Sequence, residues 1–112
     1  MDIPSIKRRY LRRDLSIPIK FTVDGETRSC LTTTLGEGGL YAQTLLPPPM
    51  AAHIKIHFEL PENYPIEVTG EVRHSLEHSY GSLPAGFGVQ FLDLKEADRQ
   101  KIISLVEAED GA

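Results

Sequence analysis

Leu15, Ile17, Ile19, Phe21 and Val23 alternate with Ser16, Pro18, Lys20, Thr22 and Asp24, a two-residue period that predicts a strand with one face in a core. Pro18 falls on the outward set and removes a ladder donor, which suits an edge or a locally unpaired position. Asp24-Gly25 follows at once, and two residues that tolerate positive φ predict a tight type I′ hairpin. The return strand, over about 27–35, sets Ser29, Leu31 and Thr33 against Arg28, Cys30, Thr32 and Thr34. Neither set is apolar enough to be assigned inward.

Three glycines in the run Gly36-Glu37-Gly38-Gly39 imply backbone conformations, or a closeness of approach, that a Cβ would block. A short strand over 40–44 follows, and Pro47-Pro48-Pro49 ends it. Alternation then returns, with Ile54, Ile56, Phe58 and Leu60 opposing His53, Lys55, His57 and Glu59. After a turn at Pro61-Glu62-Asn63, Ile66, Val68, Gly70 and Val72 oppose Glu67, Thr69, Glu71 and Arg73. The stretch 75–84 reads as a loop, and Phe87, Val89 and Phe91 share one face of a last strand. Beyond it the period lengthens: Leu94, Ala97, Ile102, Leu105 and Val106 fall on one helical stripe, and Asp93 stands at capping-box spacing from Glu96. That pattern predicts an amphipathic helix over 94–107. Six short strands without intervening helices predict an antiparallel barrel or a strongly curled sheet, its open end or side covered by the helix. The organisation expected is one domain over 1–112: a flexible basic segment (1–14), a barrel (15–92) and a helix (93–108), with a frayed end after it.

Charge changes this picture at one place. Lys7-Arg8-Arg9-Tyr10-Leu11-Arg12-Arg13 holds five cations in seven residues, whereas elsewhere seven cations face 16 carboxylates, a balance of −9. Four of the five are arginines, whose planar forks match phosphate oxygens and the O6/N7 edge of guanine. A pI near 5.5 argues against general duplex DNA binding, which needs a basic face on the whole domain. Single-stranded nucleic acid is disfavoured as well, since Tyr10 alone lies among the arginines and no stacking platform is evident. The single cysteine, Cys30, excludes an internal disulfide and a multi-thiolate zinc site. With no apolar run near the ~20 residues of a membrane span and no signal-peptide pattern, a cytoplasmic protein without membrane insertion is expected.

Catalytic chemistry finds little support. His53/His57 and His74/His78 have i, i+4 spacing, but on strands such residues stand about 13 Å apart, too far to share a metal. Cys30 and the serines lack a nucleophile motif, and the glycine-rich run is not followed by the Lys-Ser/Thr of a phosphate-binding loop. The chain therefore reads as a non-enzymatic binding protein.

Arg-Arg-x-x-Arg-Arg before the first strand, a glycine-rich turn after the second, Gly70-Glu71-Val72, then Gly86-Phe87-Gly88-Val89-Gln90-Phe91 and a terminal helix together resemble the PilZ domain family. The resemblance covers about residues 7–106. It implies an all-β fold with a C-terminal helix, a six-stranded antiparallel barrel with the helix packed on it, and a bacterial receptor for the second messenger cyclic di-GMP. Such receptors act in motility, secretion and envelope control by relaying the signal to a protein partner, and need no cofactor or metal. The family's Arg-x-x-x-Arg motif maps onto Arg8 and Arg12, with Arg9 in the commonly basic second place; Arg9 and Arg13 are an alternative register. Its second motif, Asp or Asn then x-Ser-x-x-Gly, falls on Thr34, Gly36 and Gly39. Only the last glycine is kept. If each missing polar contact is worth roughly 1 to 1.5 kcal/mol, the two departures weaken binding on the order of tenfold to a few hundredfold. The resemblance thus leaves an alternative, a degenerate adaptor that binds no nucleotide and works by protein contact alone.

Overall fold

The computed structural model describes residues 12–108. The strands are β1 (Arg12–Asp14), β2 (Pro18–Val23), β3 (Glu26–Gly36), β4 (Gly39–Gln43), β5 (His53–Leu60), β6 (Tyr64–Leu76) and β7 (Gly86–Phe91), and the helix α1 spans Glu96–Glu107. The strand order β1-β3-β2-β5-β6-β7-β4 is closed by an additional β3–β4 pairing, so β2 to β7 form a six-stranded antiparallel barrel. Closure removes sheet edges, and each barrel strand finds partners on both sides.

Alternation fills the interior as expected. Ile19, Phe21, Ile54, Ile56, Phe58, Ile66, Val68, Val72, Phe87 and Val89 are buried. Phe21 and Phe87 meet at 4.8 Å between ring centroids, tilted by 59°, and Phe58 stacks near Phe91 at 6.4 Å. Asp24 and Gly25 both have positive φ, at 53° and 78°, and turn β2 into β3 as a type I′ hairpin does. Pro18 is exposed at the start of β2, one residue before the Ile19 to Thr22 run that pairs with β5. Gly39 and Gly86 sit at opposite ends of the β4–β7 ladder, opposite Gln90 and Gln43. A Cβ on Gly39 would overlap the Val89 carbonyl, and one on Gly86 the Ala42 carbonyl. The close approach inferred for the glycine run is therefore real at Gly39.

The unassigned face of the return strand has a structural cause. The β3–β4 register shifts between Thr32 and Thr34, so Thr32 is inward before the bulge and Leu35 after it. Leu31, the apolar residue just before Thr32, is 48% exposed. Thr32 replaces an apolar side chain there because its hydroxyl does backbone work. Oγ1 donates to the Leu15 carbonyl at 2.5 Å and accepts from Ile17 N–H at 2.9 Å, bridging the break between β1 and β2.

Other differences from the sequence reading follow from pairing. Residues 12–14, expected in a flexible segment, form β1, because the far half of β3 has a free side that Arg12, Arg13 and Asp14 fill opposite Gly36, Leu35 and Thr34. β6 runs past the expected loop start to Leu76; a register shift between Val72 and His74 hides its continuation from a simple alternation. Asp93 does not cap the helix. Its carboxylate accepts Thr69 N–H at 2.8 Å, and α1 begins at Glu96 after an N-cap, Lys95, that makes no side-chain bond. On the helix Ile102 is fully buried and Leu105 and Val106 pack against the core, as Leu94 does just before it, but Ala97 is exposed. A polar residue takes its place: Asp98 is buried and accepts a 2.7 Å hydrogen bond from Tyr64 Oη.

Thr32→Val should lower unfolding stability by about 2 kcal/mol, since it leaves the Ile17 N–H and the Leu15 carbonyl short of a partner, whereas Thr32→Ser should keep most of it. Urea midpoints for the two variants check this; equal midpoints would show that the hydroxyl bridge contributes nothing.

Candidate functional site

A cleft of about 720 Å³ opens where β1, the β3–β4 turn, β6, β7 and α1 converge. Its walls include Arg12, Thr34, Glu37, Gly39, Tyr41, Arg73, His74, Gln90 and Arg99. Strand alternation puts neighbouring arginines to different uses. Arg12, opposite Gly36 in the β1–β3 ladder, lines the cleft and is exposed. Its guanidinium has no hydrogen-bond or ion-pair partner among the described residues. Arg13 instead donates from Nη1 to the Leu105 carbonyl at 2.9 Å and the Ala108 carbonyl at 3.1 Å. Since the last turn of α1 carries no basic residue, Arg13 supplies the cation that the helix C-terminus favours.

Of the residues singled out in the sequence, Arg12, Thr34 and Gly39 come together in this cleft. Gly36 is buried in β3 and does not line it. Arg13 is turned to the helix end, and Arg8 and Arg9 lie outside the described residues. The structure adds three cationic or titratable groups that periodicity did not flag: Arg73, His74 and Arg99. Arg73 is the extra residue of the β6 bulge, a place where the chain re-aims a side chain. The only signal for it in the sequence is its position just after Gly70-Glu71-Val72. Arg99 comes from the helix, three residues after Glu96, and reads there as an ordinary solvated ion pair.

The charges in the cleft are unequally engaged. Arg73 stands 3.7 Å from Glu71, a half-exposed pair that contributes little. Arg99 is more tightly held. Its Nη1 donates to Glu37 Oε1 at 2.7 Å, while Nε and Nη2 donate to the Glu96 carboxylate at 3.1 and 3.2 Å. The Glu96 hydrogen bond, followed by that to Glu37, raises the guanidinium pKa further. Glu96 is held below the usual carboxylate range by its hydrogen bonds to Gln100 and Arg99. Glu37 is the anion on the cleft wall, and its side chain is only 14% exposed. Tyr41 donates to the Pro84 carbonyl at 2.7 Å, and burial pushes its phenol pKa up. Among the described residues, three guanidinium groups against one lining carboxylate suit an anionic ligand with flat faces.

Among the described residues no cluster of His, Cys, Asp and Glu could hold a metal ion. His53 and His57 are exposed on β5, as their strand placement implied. No helix of the described residues is long and apolar enough to cross a membrane.

In comparisons with known proteins, the PilZ domain family model matches residues 6–108. Among solved structures, the Bacillus subtilis inhibitor of motility MotI/DgrA superposes with a TM-score of 0.78 at 18% identity, over 88% of this chain and 49% of that one. The PilZ domain of CeSA from a cellulose-synthesizing bacterium gives a TM-score of 0.62 at 17% identity, over 85% of this chain and 93% of that domain. The Borreliella burgdorferi PlzA protein, solved in complex with c-di-GMP, gives 0.58 at 20% identity, over 91% and 36% respectively. This chain therefore spans about half of the Bacillus protein and about a third of the Borreliella one. No curated protein matches the chain in sequence.

Cys30 bears on the chemistry by its inertness. Half-buried on β3, its thiol is pushed up to about 11 by desolvation, so at neutral pH it stays protonated. Alkylation by iodoacetamide at pH 8, followed by mass spectrometry, should run more than about tenfold slower than for free cysteine and accelerate with pH up to about 11. A rate equal to free cysteine would mean an exposed, ordinary thiol.

Proposed function

This chain belongs to the PilZ domain family, and from that premise we propose that it is a non-enzymatic receptor for cyclic di-GMP that relays the signal to a protein partner. The observation that carries the reading is Arg12: a guanidinium on β1 without a partner among the described residues, lining one cleft with Thr34 and Gly39. Arg8 and Arg9 precede it in the family's basic motif and supply the further cations. Gly36, opposite Arg12, is buried in the β1–β3 ladder and leaves Thr34 and Gly39 as the motif residues on the cleft wall.

Two phosphates and two guanines give the ligand what this wall can hold. A guanidinium binds a phosphate or the O6/N7 edge of guanine with two parallel hydrogen bonds, or stacks on the purine face. Ordering an arginine-rich segment over the ligand costs conformational entropy, so affinity depends on the number of contacts made. The fold is shared with the Borreliella protein solved with c-di-GMP, which supports the choice of ligand. Tyr41 is hydrogen-bonded away and Cys30 is protonated, consistent with binding rather than catalysis. A cytoplasmic setting accords with a bacterial second messenger as ligand.

A second reading, an adaptor that binds no nucleotide, is favoured by Thr34 and Gly36 in place of the family's acidic or amide residue and serine. The Glu37 carboxylate in the same cleft also favours it. The fold is shared with a Bacillus inhibitor of motility, in keeping with action by protein contact.

Calorimetric titration with cyclic di-GMP, with GTP and GMP as controls, separates the two. The receptor reading expects selective, salt-weakened binding that drops about a hundredfold or more in Arg8→Ala/Arg12→Ala, with the melting temperature nearly unchanged. Binding that survives the double substitution would remove the arginines from the site. A native chain that gives no heat, while Thr34→Asp/Gly36→Ser does bind, would establish the adaptor.

A further inference from the structure

Arg99 and Glu37 form a contact that the family's two motifs do not include, and they form it on the wall of the cleft itself. Glu37 lies in the β3–β4 turn and Arg99 in the second turn of α1, so the pair joins the ligand-facing turn to the helix. The carboxylate is largely shielded, whereas the guanidinium is 40% exposed and so remains open to the cleft. Its other partner, Glu96, is exposed on the helix surface and holds Nε and Nη2, which leaves Nη1 as the edge turned to the turn. A carboxylate on that edge occupies the place that an anionic ligand oxygen would take.

We propose that Arg99 is a phosphate-binding residue of this cleft, and that Glu37 acts as an internal stand-in for the phosphate until the ligand displaces it. The inference rests on the receptor reading above and adds a residue to it. Arg99 supplies, from the helix, a charged hydrogen-bond donor in a site whose Thr34 and Gly36 lack the family's polar groups. The exchange of one anion for another keeps the guanidinium paired in both states, while the displaced Glu37 carboxylate has to turn out to solvent. It also means that the helix-to-turn contact is broken when the ligand is bound.

Simple charge repulsion would also make Glu37 unfavourable to a phosphate, so the test must hold net charge constant. Glu37→Gln/Arg99→Gln removes one charge of each sign and leaves the cleft's balance as it is. Titrated with cyclic di-GMP, this variant should bind at least about tenfold more weakly than the native chain, because a charged contact is lost. Glu37→Gln alone should bind severalfold more tightly. Far-UV circular dichroism and melting establish that the variants are folded, with α1 still anchored by Ile102, Arg13 and the Tyr64 to Asp98 bond. Should the double variant not fold, Arg99→Lys in the Glu37→Gln background is the substitute. It keeps the charge but not the fork, and should forfeit the gain of Glu37→Gln.

Native affinity in the charge-neutral double variant would overturn the role of Arg99 while leaving the receptor reading intact. Absence of binding by both the native chain and Glu37→Gln would overturn the two together. Binding by Glu37→Gln where the native chain gives none would support the inference in its strongest form, with Glu37 holding the site shut.

Discussion

A bulge in β3 lets one strand serve three neighbours. An eleven-residue strand has to pair with β2 along its first half and with both β1 and β4 along its second. A straight strand with one inward face would carry the same parity throughout. The extra residue at Thr33 reverses that parity and bends the strand, so the β3–β4 pairing can close the barrel while Leu35 still faces the core. The bend is made tolerable by one hydroxyl, that of Thr32, which satisfies backbone groups where β1 gives way to β2. Thr34, Gly36 and the turn beyond it stand where they do relative to Arg12 because of that arrangement.

The alternating strands β2, β5 and β7 were legible because each buries one face continuously, and period two survives wherever no bulge interrupts it. Asp24-Gly25 was legible for a local reason, its tolerance of positive φ. What escaped the sequence shares a physical origin: structure fixed by backbone pairing rather than by side-chain hydrophobicity. β1 contains no apolar residue at all, and the end of β6 lies beyond a bulge. Asp93 has the chemistry of a helix cap, yet a neighbouring strand's N–H at Thr69 claims it, a tertiary choice that local spacing does not encode. The site divides along the same line. Arg12, Thr34 and Gly39 belong to contiguous motifs, while Arg73 and Arg99 reach the cleft through a bulge and a helix docking.

Electrostatics in the cleft is a matter of partners more than of counts. Among the described residues, the three lining arginines range from unpartnered, at Arg12, through loosely paired, at Arg73, to held at three nitrogens, at Arg99. A ligand therefore meets one cation ready to bind and others that must first give up a carboxylate. Affinity for an anion is set by the difference between those exchanges, and total charge is a poor guide to it.

The doublet Arg12-Arg13 has a further consequence for how reliably β1 assembles. In a strand, slipping by one residue turns every side chain to the other side, and for most sequences that exchange is ruinous. Here a slip that brought Arg13 to the cleft would bring Asp14 to the end of α1, setting a carboxylate where the helix C-terminus favours a cation. A three-residue strand with no apolar anchor thus takes its alignment from charge, since the Asp14 that follows the doublet makes the slipped register unfavourable at the helix end.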